Sequence, residues 1–524
     1  MFDLIIKNGL VVDGSGDPGE LKDIGIIADR IEKIGDLSGE VAHNTIDAKD
    51  MVVAPGFIDI HSHADATLPV LPTADSKVYQ GVTTEVVGNC GFSTAPFSEE
   101  LMNNFPLGGE GILWNWKTFE DYFEVLSKSG ISVNVVPLVG HATVRLAVMG
   151  MVDREPTDEE MREMKNQVEM AMQSGAAGFT TGLIYPPSVY GSTDEIVELA
   201  KVAAKYGGIY TSHIRGEGDT VLEAVDEAIE IGRQAGLPVE ISHLKASNRP
   251  NWEKMTLILN KIEQAREEGL DITADMYPYP ASNTTLTALI PSWAHVGGRD
   301  AMLSRLRGAE REKIRQELHA EAERSKPDFW DRVIVSECVK AKHFEGKSVA
   351  AVSEEMHKAP EDALMDLLLE VDGEASMIQF MMSEENIALG LKQPFVMIGS
   401  DGEGRSTQGV LSGGKPHPRN YGTFARVLRK YVREDQVLTL EEGIHKMTGM
   451  PARKMNLQAR GLLKEQYFAD VVVFDASKIN DASTFQDPHQ YAQGIKFLFV
   501  NGETVIQNGV HTELKPGRIL RHKR

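Results

Sequence analysis

The sequence predicts an α/β protein whose centre is a (β/α)8 barrel of the TIM type. Through the middle of the chain, short apolar runs alternate with amphipathic stretches of helical spacing. Both ends are instead rich in short strand-like runs separated by turn residues. One long interval, residues 275–393, separates the seventh apolar run from the eighth. We therefore expect a barrel, a small β-sandwich-like domain built from both termini, and an insertion before the last barrel strand.

Eight apolar runs supply the predicted barrel strands. They cover residues 56–60, 84–88, 133–138, 178–182, 209–212, 238–242, 271–274 and 394–400. The helical stretches between them carry start and stop signals; the stretch 158–174, for example, is followed by Gly175. In a parallel barrel of this kind, residues at the carboxyl ends of the strands carry the chemistry.

The predicted domain boundaries follow this alternation. Residues 1–55 and 455–524 form a composite small β domain, residues 56–454 form the barrel, and residues 284–345 form an inserted, lid-like segment. An insertion at that point would overhang the strand ends, where it could close over a ligand. Two alternatives stay open: separate β appendages at the two ends, and an inserted segment that is only a solvated decoration.

Composition restricts the class of partner. The 524 residues carry a formal net charge of −23, which argues against a nucleic-acid partner because such proteins present a basic face. Only two cysteines are present, so no disulfide framework is predicted. The first residues lack a signal-peptide pattern, and no apolar run reaches membrane-spanning length. We expect a cytoplasmic protein with a small-molecule partner and no membrane partner; the oligomeric state is left open.

Two histidines follow the first predicted strand. Residues i and i+2 of a strand point to one face, so His61 and His63 should project together from its end. Two converging imidazoles are a start for a divalent transition-metal site. On its own this short motif is weak, and two unrelated surface histidines would explain it equally well.

Other predicted strands are followed by residues with metal-binding or acid–base side chains. These are Cys90 after the second strand, His213 after the fifth, His243 after the sixth and Asp401 after the eighth. A thiolate with imidazoles is the donor set of a zinc site. A carboxylate beside a metal-activated water is suited to act as general base and then as general acid. Taken singly, Cys90 could be a small buried hydrophobic residue and Asp401 a turn residue, but their shared position favours a metal site.

These residues and their flanking motifs resemble the amidohydrolase superfamily and, more narrowly, the D-aminoacylases, which are N-acyl-D-amino-acid deacylases. The matching stretches are PGFIDIHSH from Pro55, GNCGFS from Gly88, GLIYPP from Gly182, SHIRGEG from Ser212, ISHLK from Ile241, SDG from Ser400, PHPRNYGTF from Pro416, KMTG from Lys446 and ADVVVF from Ala469. The match covers nearly the whole chain. Many superfamily members bridge two metals with a carboxylated lysine at the end of strand four, whereas this chain has no lysine between Thr181 and Tyr185.

The resemblance implies zinc-dependent hydrolysis of the amide bond of N-acyl-D-amino acids, with Asp401 as general base and acid. It implies one tight zinc ion held by Cys90, His213 and His243. A second, weaker position would be formed by His61 and His63, with Cys90 and Asp401 as further candidates.

The resemblance also points to residues that would hold the substrate carboxylate. They are Tyr185, Lys245, Tyr277 and Ser282, with Asn283 on the same wall. A free α-carboxylate needs a cation and hydroxyl donors, which these side chains offer. Loop packing is the alternative for both tyrosines.

Three other functions stay open at this stage. A cyclic amidase of the dihydroorotase or hydantoinase kind shares the fold and chemistry, although the absent strand-four lysine counts against it. Arg405, in a loop that departs from the family pattern, could bind an acidic side chain, as a deacylase for N-acyl-D-glutamate or N-acyl-D-aspartate would need; the alternative is a solvated loop residue. The third is a non-catalytic relative, which the complete ligand set argues against. His141, after the third strand, stays unassigned.

Overall fold

Parallel strands in the middle of the chain surround the candidate site in this computed structural model, which describes residues 1–104, 114–325 and 328–523. We label the barrel strands β1 to β8; they are Phe57–Asp59, Val82–Val87, Asn134–Pro137 with its continuation Val139–Gly140, Gly178–Gly182, Ile209–His213, Val239–Ile241, Ile272–Met276 and Val396–Ile398. Each runs parallel to the neighbour with which it pairs. The predicted (β/α)8 barrel is therefore confirmed.

The first and last barrel strands meet just beyond their carboxyl ends, at a junction that we call the β1–β8 seam. The Asp401 backbone N–H donates to the His61 carbonyl at 2.8 Å, and the His63 N–H donates to the Gly402 carbonyl at 2.9 Å. A parallel bridge joins Ser62 to Gly402 at the same point. These bonds hold together the two strand ends that carry the predicted histidines and aspartate.

The period of two along β5 explains why His213 faces the inside of the barrel. Ile209, the first residue of β5, packs in an inner apolar cluster with Ile58 and Met397. The next residue, Tyr210, belongs to the apolar layer between strands and helices. Because alternate residues of a strand share a face, His213 points to the same side as Ile209.

Helices cover the outside of the barrel. Those between β1 and β7 are Asp75–Val78, Glu99–Asn104, Phe119–Ser129, His141–Met149, Asp158–Ser174, Thr193–Lys205, Val221–Ala235 and Lys254–Glu267, and those after β8 are Arg419–Arg426, its π-helical continuation Val427–Glu434, Leu440–Met447 and Gly449–Lys454. The helix Asp158–Ser174 begins with a capping box between Thr157 and Glu160 and ends at Gly175, whose φ of 106° suits a glycine. Within the described ranges, no helix combines the length and apolar character that crossing a bilayer requires.

Both termini contribute to one nine-stranded sheet beside the barrel. Its strands are Phe2–Val11, Glu20–Ile27, Arg30–Gly35, Ala42–Asp47, Val52–Pro55, Val471–Phe474, Ile495–Val500, Glu503–Gln507 and Val510–His511. The two parts join where Val52–Pro55 pairs antiparallel with Val471–Phe474. The last residues leave this sheet, since Leu520 donates its backbone N–H to the Val135 carbonyl of β3 at 2.8 Å. The predicted range 455–524 is therefore wider than the part that pairs in the sheet.

The segment between β7 and β8 is larger than the predicted range 284–345. It contains a three-stranded antiparallel sheet of Ala281–Thr285, Ser376–Phe380 and Val333–Glu337. Its helices are Arg299–Arg307, Arg311–Arg324, Val349–Met356 and Pro360–Glu370, and Glu384–Leu391 leads back to β8. Apolar residues from Leu286 to Met377 pack in one separate core. Lid motion of this inserted segment stays a prediction.

Candidate metal centre at the barrel mouth

The predicted ligands come from five different strand ends and meet at the carboxyl face of the barrel. His61 and His63 follow β1, Cys90 follows β2, His213 ends β5, His243 follows β6 and Asp401 follows β8. Four of these residues offer donor atoms that all lie within 4.8 Å of one another: His61, Cys90, His243 and Asp401. The barrel thus collects into one cluster residues that are hundreds of positions apart in the chain.

Short distances connect the members of this cluster. Cys90 Sγ lies 3.3 Å from His61 Nε2 and 3.4 Å from His243 Nε2. Asp401 Oδ1 lies 3.3 Å from His61 Nε2 and 3.0 Å from His63 Nε2. The thiol and the carboxylate therefore approach the same imidazole, that of His61.

His213 completes the cluster from the side of β5. Its ring packs edge-on against the His243 ring, with centroids 4.3 Å apart. Among the described residues, neither of its buried ring nitrogens has a hydrogen-bond partner. A buried polar group without a partner costs about 1–3 kcal/mol, so His213 is suited to bind a further group.

The donors fit a zinc ion. Cys90, His213 and His243 supply one sulfur and two imidazoles, the combination that zinc prefers. The buried nitrogens of His213 make no hydrogen bond within the described residues, and the Glu217 carboxylate lies 3.7 Å from Nε2; this favours a bound ion over a self-contained polar core. His61, Cys90, His243 and Asp401 form a group of donors within 4.8 Å of one another, and His63 lies 3.0 Å from Asp401.

The backbone at three of these residues adopts an unusual conformation. The φ angles of Cys90, His243 and Asp401 are 54°, 36° and 49°. Such angles in residues other than glycine cost on the order of 1–3 kcal/mol each and persist only where the surroundings hold them. The site therefore stores backbone strain at the positions that aim a thiol, an imidazole and a carboxylate.

Neighbouring positive charges keep the Cys90 thiol and the Asp401 carboxyl ionised. Burial opposes ionisation of Cys90, but the charges of His61 and His243 beside it outweigh burial and hold the pKa of the thiol well below its usual value. Burial likewise opposes ionisation of Asp401, whose pKa is held well below its usual value by Arg419 and the imidazole of His61. Both groups are therefore anionic near neutral pH.

Two carboxylates orient the imidazoles from behind, and the sequence analysis did not assign either of them. Asp275 Oδ2 lies 3.0 Å from His61 Nδ1, and Glu217 Oε1 lies 3.1 Å from His243 Nδ1. A carboxylate on the outer nitrogen of a ligand histidine selects the tautomer that presents the other nitrogen to a metal. Glu217 lies in the motif SHIRGEG quoted above, and Asp275 directly follows the seventh predicted strand. These positions are the signal that could have identified the two residues.

The predicted substrate residues lie beside the cluster or on the inserted segment. The Tyr185 hydroxyl lies 3.0 Å from Thr284 Oγ1 of the inserted segment, and its ring contacts that of His213. The buried Tyr277 hydroxyl has no hydrogen-bond partner among the described residues. Ser282 is half-buried on the strand Ala281–Thr285. Tyr185 and Tyr277 thus offer hydroxyl groups on the barrel, and Ser282 offers one on the inserted sheet.

Lys245 is more constrained than the sequence predicted. Its ammonium is 2.5 Å from Glu217 Oε1 and 2.8 Å from His243 Nδ1, and the residue is only 4% exposed. Lys245 therefore has a carboxylate partner already, and any substrate carboxylate would share it with Glu217.

Arg419 is a site residue that the sequence analysis missed. Its guanidinium pairs with Asp401 Oδ2 at 2.7 Å and lies over the Tyr277 ring, 4.8 Å from the centroid. It belongs to the quoted motif that begins at Pro416, and a charged residue within a matching motif is the signal that was available.

Arg405 is neither a solvated loop residue nor a free cation. It is 8% exposed and pairs with Glu337 of the inserted segment at 2.9 Å and with Glu403 at 2.7 Å. Its charge is already balanced by two carboxylates, so this arginine ties the Asp401 loop to the inserted segment.

His141 has a structural environment. Its Nδ1 lies 2.9 Å from Ser188 Oγ and its Nε2 lies 2.7 Å from Glu195 Oε1, and Glu195 also pairs with Arg145. All of these side chains are buried. We call this set the His141 cluster; it anchors the loop that carries Tyr185.

Comparison with known proteins identifies relatives along the whole chain. The model of a family described as the amidohydrolase family matches residues 44–506. A D-aminoacylase of Alcaligenes xylosoxydans xylosoxydans is 37% identical over 523 residues, which cover 99% of this chain and 97% of that protein.

Solved structures agree with this comparison. A crystal structure of D-aminoacylase superposes with a TM-score of 0.85 at 35% identity and covers 100% of both chains. An N-acyl-D-glutamate deacylase from Bordetella bronchiseptica, complexed with zinc and a phosphonate that mimics the tetrahedral intermediate, superposes with a TM-score of 0.84 at 33% identity, covering 99% of both chains.

Proposed function

Because this chain belongs to the amidohydrolase family, in which its relatives include a D-aminoacylase, we propose that it hydrolyses the amide bond of N-acyl-D-amino acids. The products would be a D-amino acid and a carboxylate. The observation that carries the proposal is the buried cluster in which Cys90 lies 3.4 Å from His243, on a barrel that lacks the strand-four lysine of other amidohydrolases. That lysine would also be expected in a cyclic amidase, so this alternative is disfavoured.

We propose that Cys90, His213 and His243 hold a zinc ion tightly and that His61, His63, Cys90 and Asp401 form a second, weaker position. When bound, zinc supplies Lewis acidity and lowers the pKa of water toward neutrality. The unpaired nitrogens of His213 and the low pKa of the Cys90 thiol support the tight position. Asp275 and Glu217 would keep the imidazoles of His61 and His243 in the orientation required.

Asp401 is proposed as the residue that moves the proton. Arg419 and His61 keep its carboxylate ionised, so it can accept a proton from the attacking water. The same low pKa makes the protonated form a strong acid, which returns the proton to the departing amine nitrogen. Asp401 Oδ1 is 3.0 Å from His63 Nε2, so the carboxylate remains held while its protonation state changes.

The substrate carboxylate is proposed to lie among Tyr185, Lys245, Tyr277 and Ser282. The unpaired Tyr277 hydroxyl is a free donor, and the Lys245 ammonium adds a charge that it shares with Glu217. Arg419, stacked over Tyr277, adds a second cation on the same side. An α-carboxylate fixed at this wall would set which face of the α-carbon meets the barrel, which is how preference for the D form would arise.

A panel of N-acetyl-D- and N-acetyl-L-amino acids, combined with metal analysis, tests the proposal. We expect hydrolysis of D substrates only, with at least one zinc ion per chain. Asp401→Asn should keep its zinc and lose about 10²- to 10⁴-fold in kcat, the usual worth of a general acid–base group. An undiminished rate in this variant would refute the role of Asp401, and turnover of hydantoin without turnover of any N-acetyl-D-amino acid would favour a cyclic amidase.

A further inference from the structure

Lys77 is a lysine buried behind the site, and the proposed reaction does not use it. It lies in the short helix Asp75–Val78 and is 0% exposed. Its ammonium lies close to oxygens from both sides of the β1–β8 seam and from β2: Asp59 Oδ2 at 2.8 Å, Ser400 Oγ at 2.9 Å, the Gly402 carbonyl at 3.0 Å, Ser62 Oγ at 3.2 Å and Glu85 Oε1 at 3.2 Å. A single cation thus connects three barrel strands.

Lys77 supplies the positive charge beside two buried carboxylates. Asp59 and Glu85 are both completely buried, and no other cation is paired with either of them among the described residues. Burial opposes the charge of Lys77, but Asp59 and Glu85 outweigh burial and raise the pKa of its ammonium. A buried ion is tolerated only where its partners surround it, and here the partners belong to the strand ends of the site.

The contacts of Lys77 flank Asp401 on both sides. It bonds to Ser400, the residue before Asp401, and to the carbonyl of Gly402, the residue after it. Between these two anchors Asp401 has a φ of 49°, a conformation that residues other than glycine leave unless it is enforced. Ser400 is held in turn by Asp59, which accepts from its hydroxyl at 2.5 Å and from its backbone N–H at 2.8 Å.

On the opposite strand, Lys77 reaches the residues that carry the histidines. Asp59 lies two residues before His61 and accepts its backbone N–H at 3.3 Å. Ser62, between the two histidines, also contacts the ammonium. The same cation is therefore bonded to the segment of His61 and to the segment of Asp401.

We infer that Lys77 is a positioning residue for the proposed reaction: its ammonium holds the residues on both sides of Asp401 against β1 and thereby sets the place of the Asp401 carboxylate between His61, His63 and Arg419. This inference rests on the proposed role of Asp401. The described contacts of Lys77 do not include the Asp401 carboxylate, so Lys77 acts on it through Ser400, Gly402 and Asp59.

Replacement by a neutral side chain of similar shape, Lys77→Met, tests the inference in the zinc-loaded protein. The matched control is Lys446→Met, because Lys446 is also buried but bonds to the carbonyls of Gln393 and Val396, at the opposite end of β8. We expect kcat of Lys77→Met to fall about 100-fold, the effect of displacing a reacting group by about 1 Å, with KM and zinc content unchanged. Lys446→Met should keep its kcat, and the thermal midpoint of each variant shows that it is folded.

Each outcome of this experiment decides the inference. If folded, zinc-loaded Lys77→Met keeps a kcat within about three-fold of Lys446→Met, the positioning role is wrong. A loss of kcat that is matched by a loss of zinc or by a rise in KM would also overturn it, because the Asp401 carboxylate alone should move. A wild-type protein that hydrolyses no N-acyl-D-amino acid would instead overturn the proposed function itself, before any variant is compared.

A milder variant decides the matter if Lys77→Met does not fold. Ser400→Ala removes one of the bonds that connect Lys77 to the Asp401 segment, and Ser353→Ala, which removes a buried serine bonded to Ala350 in the inserted segment, is its control. We expect kcat of Ser400→Ala to fall about 10-fold at unchanged KM, a fraction of the effect of full displacement. An unchanged kcat in Ser400→Ala would overturn the inference.

Discussion

Two buried histidines at strand ends, His141 after β3 and His213 at the end of β5, have opposite surroundings. Both nitrogens of His141 have close partners, Ser188 at 2.9 Å and Glu195 at 2.7 Å. Neither nitrogen of His213 has a hydrogen-bond partner among the residues that the structure describes. Both histidines are buried, but His141 begins a helix after β3 and His213 ends β5, and their partners differ. A satisfied buried histidine stabilises the fold, whereas an unsatisfied one is prepared for a ligand.

The largest expected effect comes from removing the thiol that His213 and His243 surround. Cys90→Ala should lose its zinc and about 10³-fold or more in kcat/KM, because a metal contributes several kcal/mol to the stabilisation of the transition state. His141→Gln, the counterpart in the His141 cluster, should keep a full complement of zinc. Metal analysis and kinetics on both purified variants check this pair. Full zinc occupancy in Cys90→Ala would break the comparison.

The next largest expected effect is on zinc affinity, and it comes from the carboxylate that contacts His243 rather than from the one that contacts His141. Glu217→Gln weakens the partner of His243 Nδ1 and should lower zinc affinity about 10- to 100-fold, the usual effect of losing a group that orients a metal ligand. Glu195→Gln changes the equivalent partner of His141 and should leave zinc affinity unchanged. Competition with a chelator measures both. Equal zinc affinities in the two variants would contradict the proposed role of Glu217.

A smaller effect is expected on stability, and here the His141 variant should lose more than the His213 variant. His141→Gln leaves the buried Glu195 and Ser188 with poorer partners, so the free energy of unfolding of the zinc-free protein should fall by about 1–3 kcal/mol. His213→Gln removes a group that lacks hydrogen bonds, so the zinc-free protein should lose less stability or none. Denaturant titration of both zinc-free variants makes the test. A greater loss for His213→Gln would show that His213 has a structural role.

The smallest effect is the contribution that His141 makes to the pH dependence of stability. Burial lowers the pKa of His141 in the folded protein, so below a pH of about 6.5 the unfolded chain takes up a proton that the folded chain does not. The stability from this group is present above that pH and is lost as the pH falls further. The slope of stability between pH 7 and pH 5 should therefore be shallower in zinc-free His141→Gln than in the wild type, by at most about 1.4 kcal/mol per pH unit. Identical slopes would exclude a neutral His141.

Much of the site could be predicted from local sequence. Short strands followed by histidine, cysteine or aspartate are visible without a structure, because a parallel barrel presents its reactive groups at strand ends. This rule pointed to Cys90, His213, His243 and Asp401, and it also pointed to His141 without deciding its role. Strand-end position alone does not tell a ligand from a satisfied core residue.

Other features depend on partners far away in the chain and were missed for that reason. The contact between Lys245 and Glu217, which follows a different strand, is one such feature. The strand Ser376–Phe380 of the inserted segment likewise pairs with residues almost a hundred positions earlier. Such pairings are set by closure of the fold, and no local pattern encodes them.

The sequence by itself determined the repeat of strands and helices, the strand-rich ends and the donor set of one sulfur, several imidazoles and a carboxylate. Those properties follow from hydrophobic period and residue chemistry, which are local. Only the tertiary structure decided which buried groups are already satisfied, as in the His141 cluster, and which are left open, as at His213. It also decided that Lys77 bonds to the residues on both sides of Asp401. Hydrogen bonds and ion pairs form between groups that the fold brings within about 3 Å, whatever their separation along the chain.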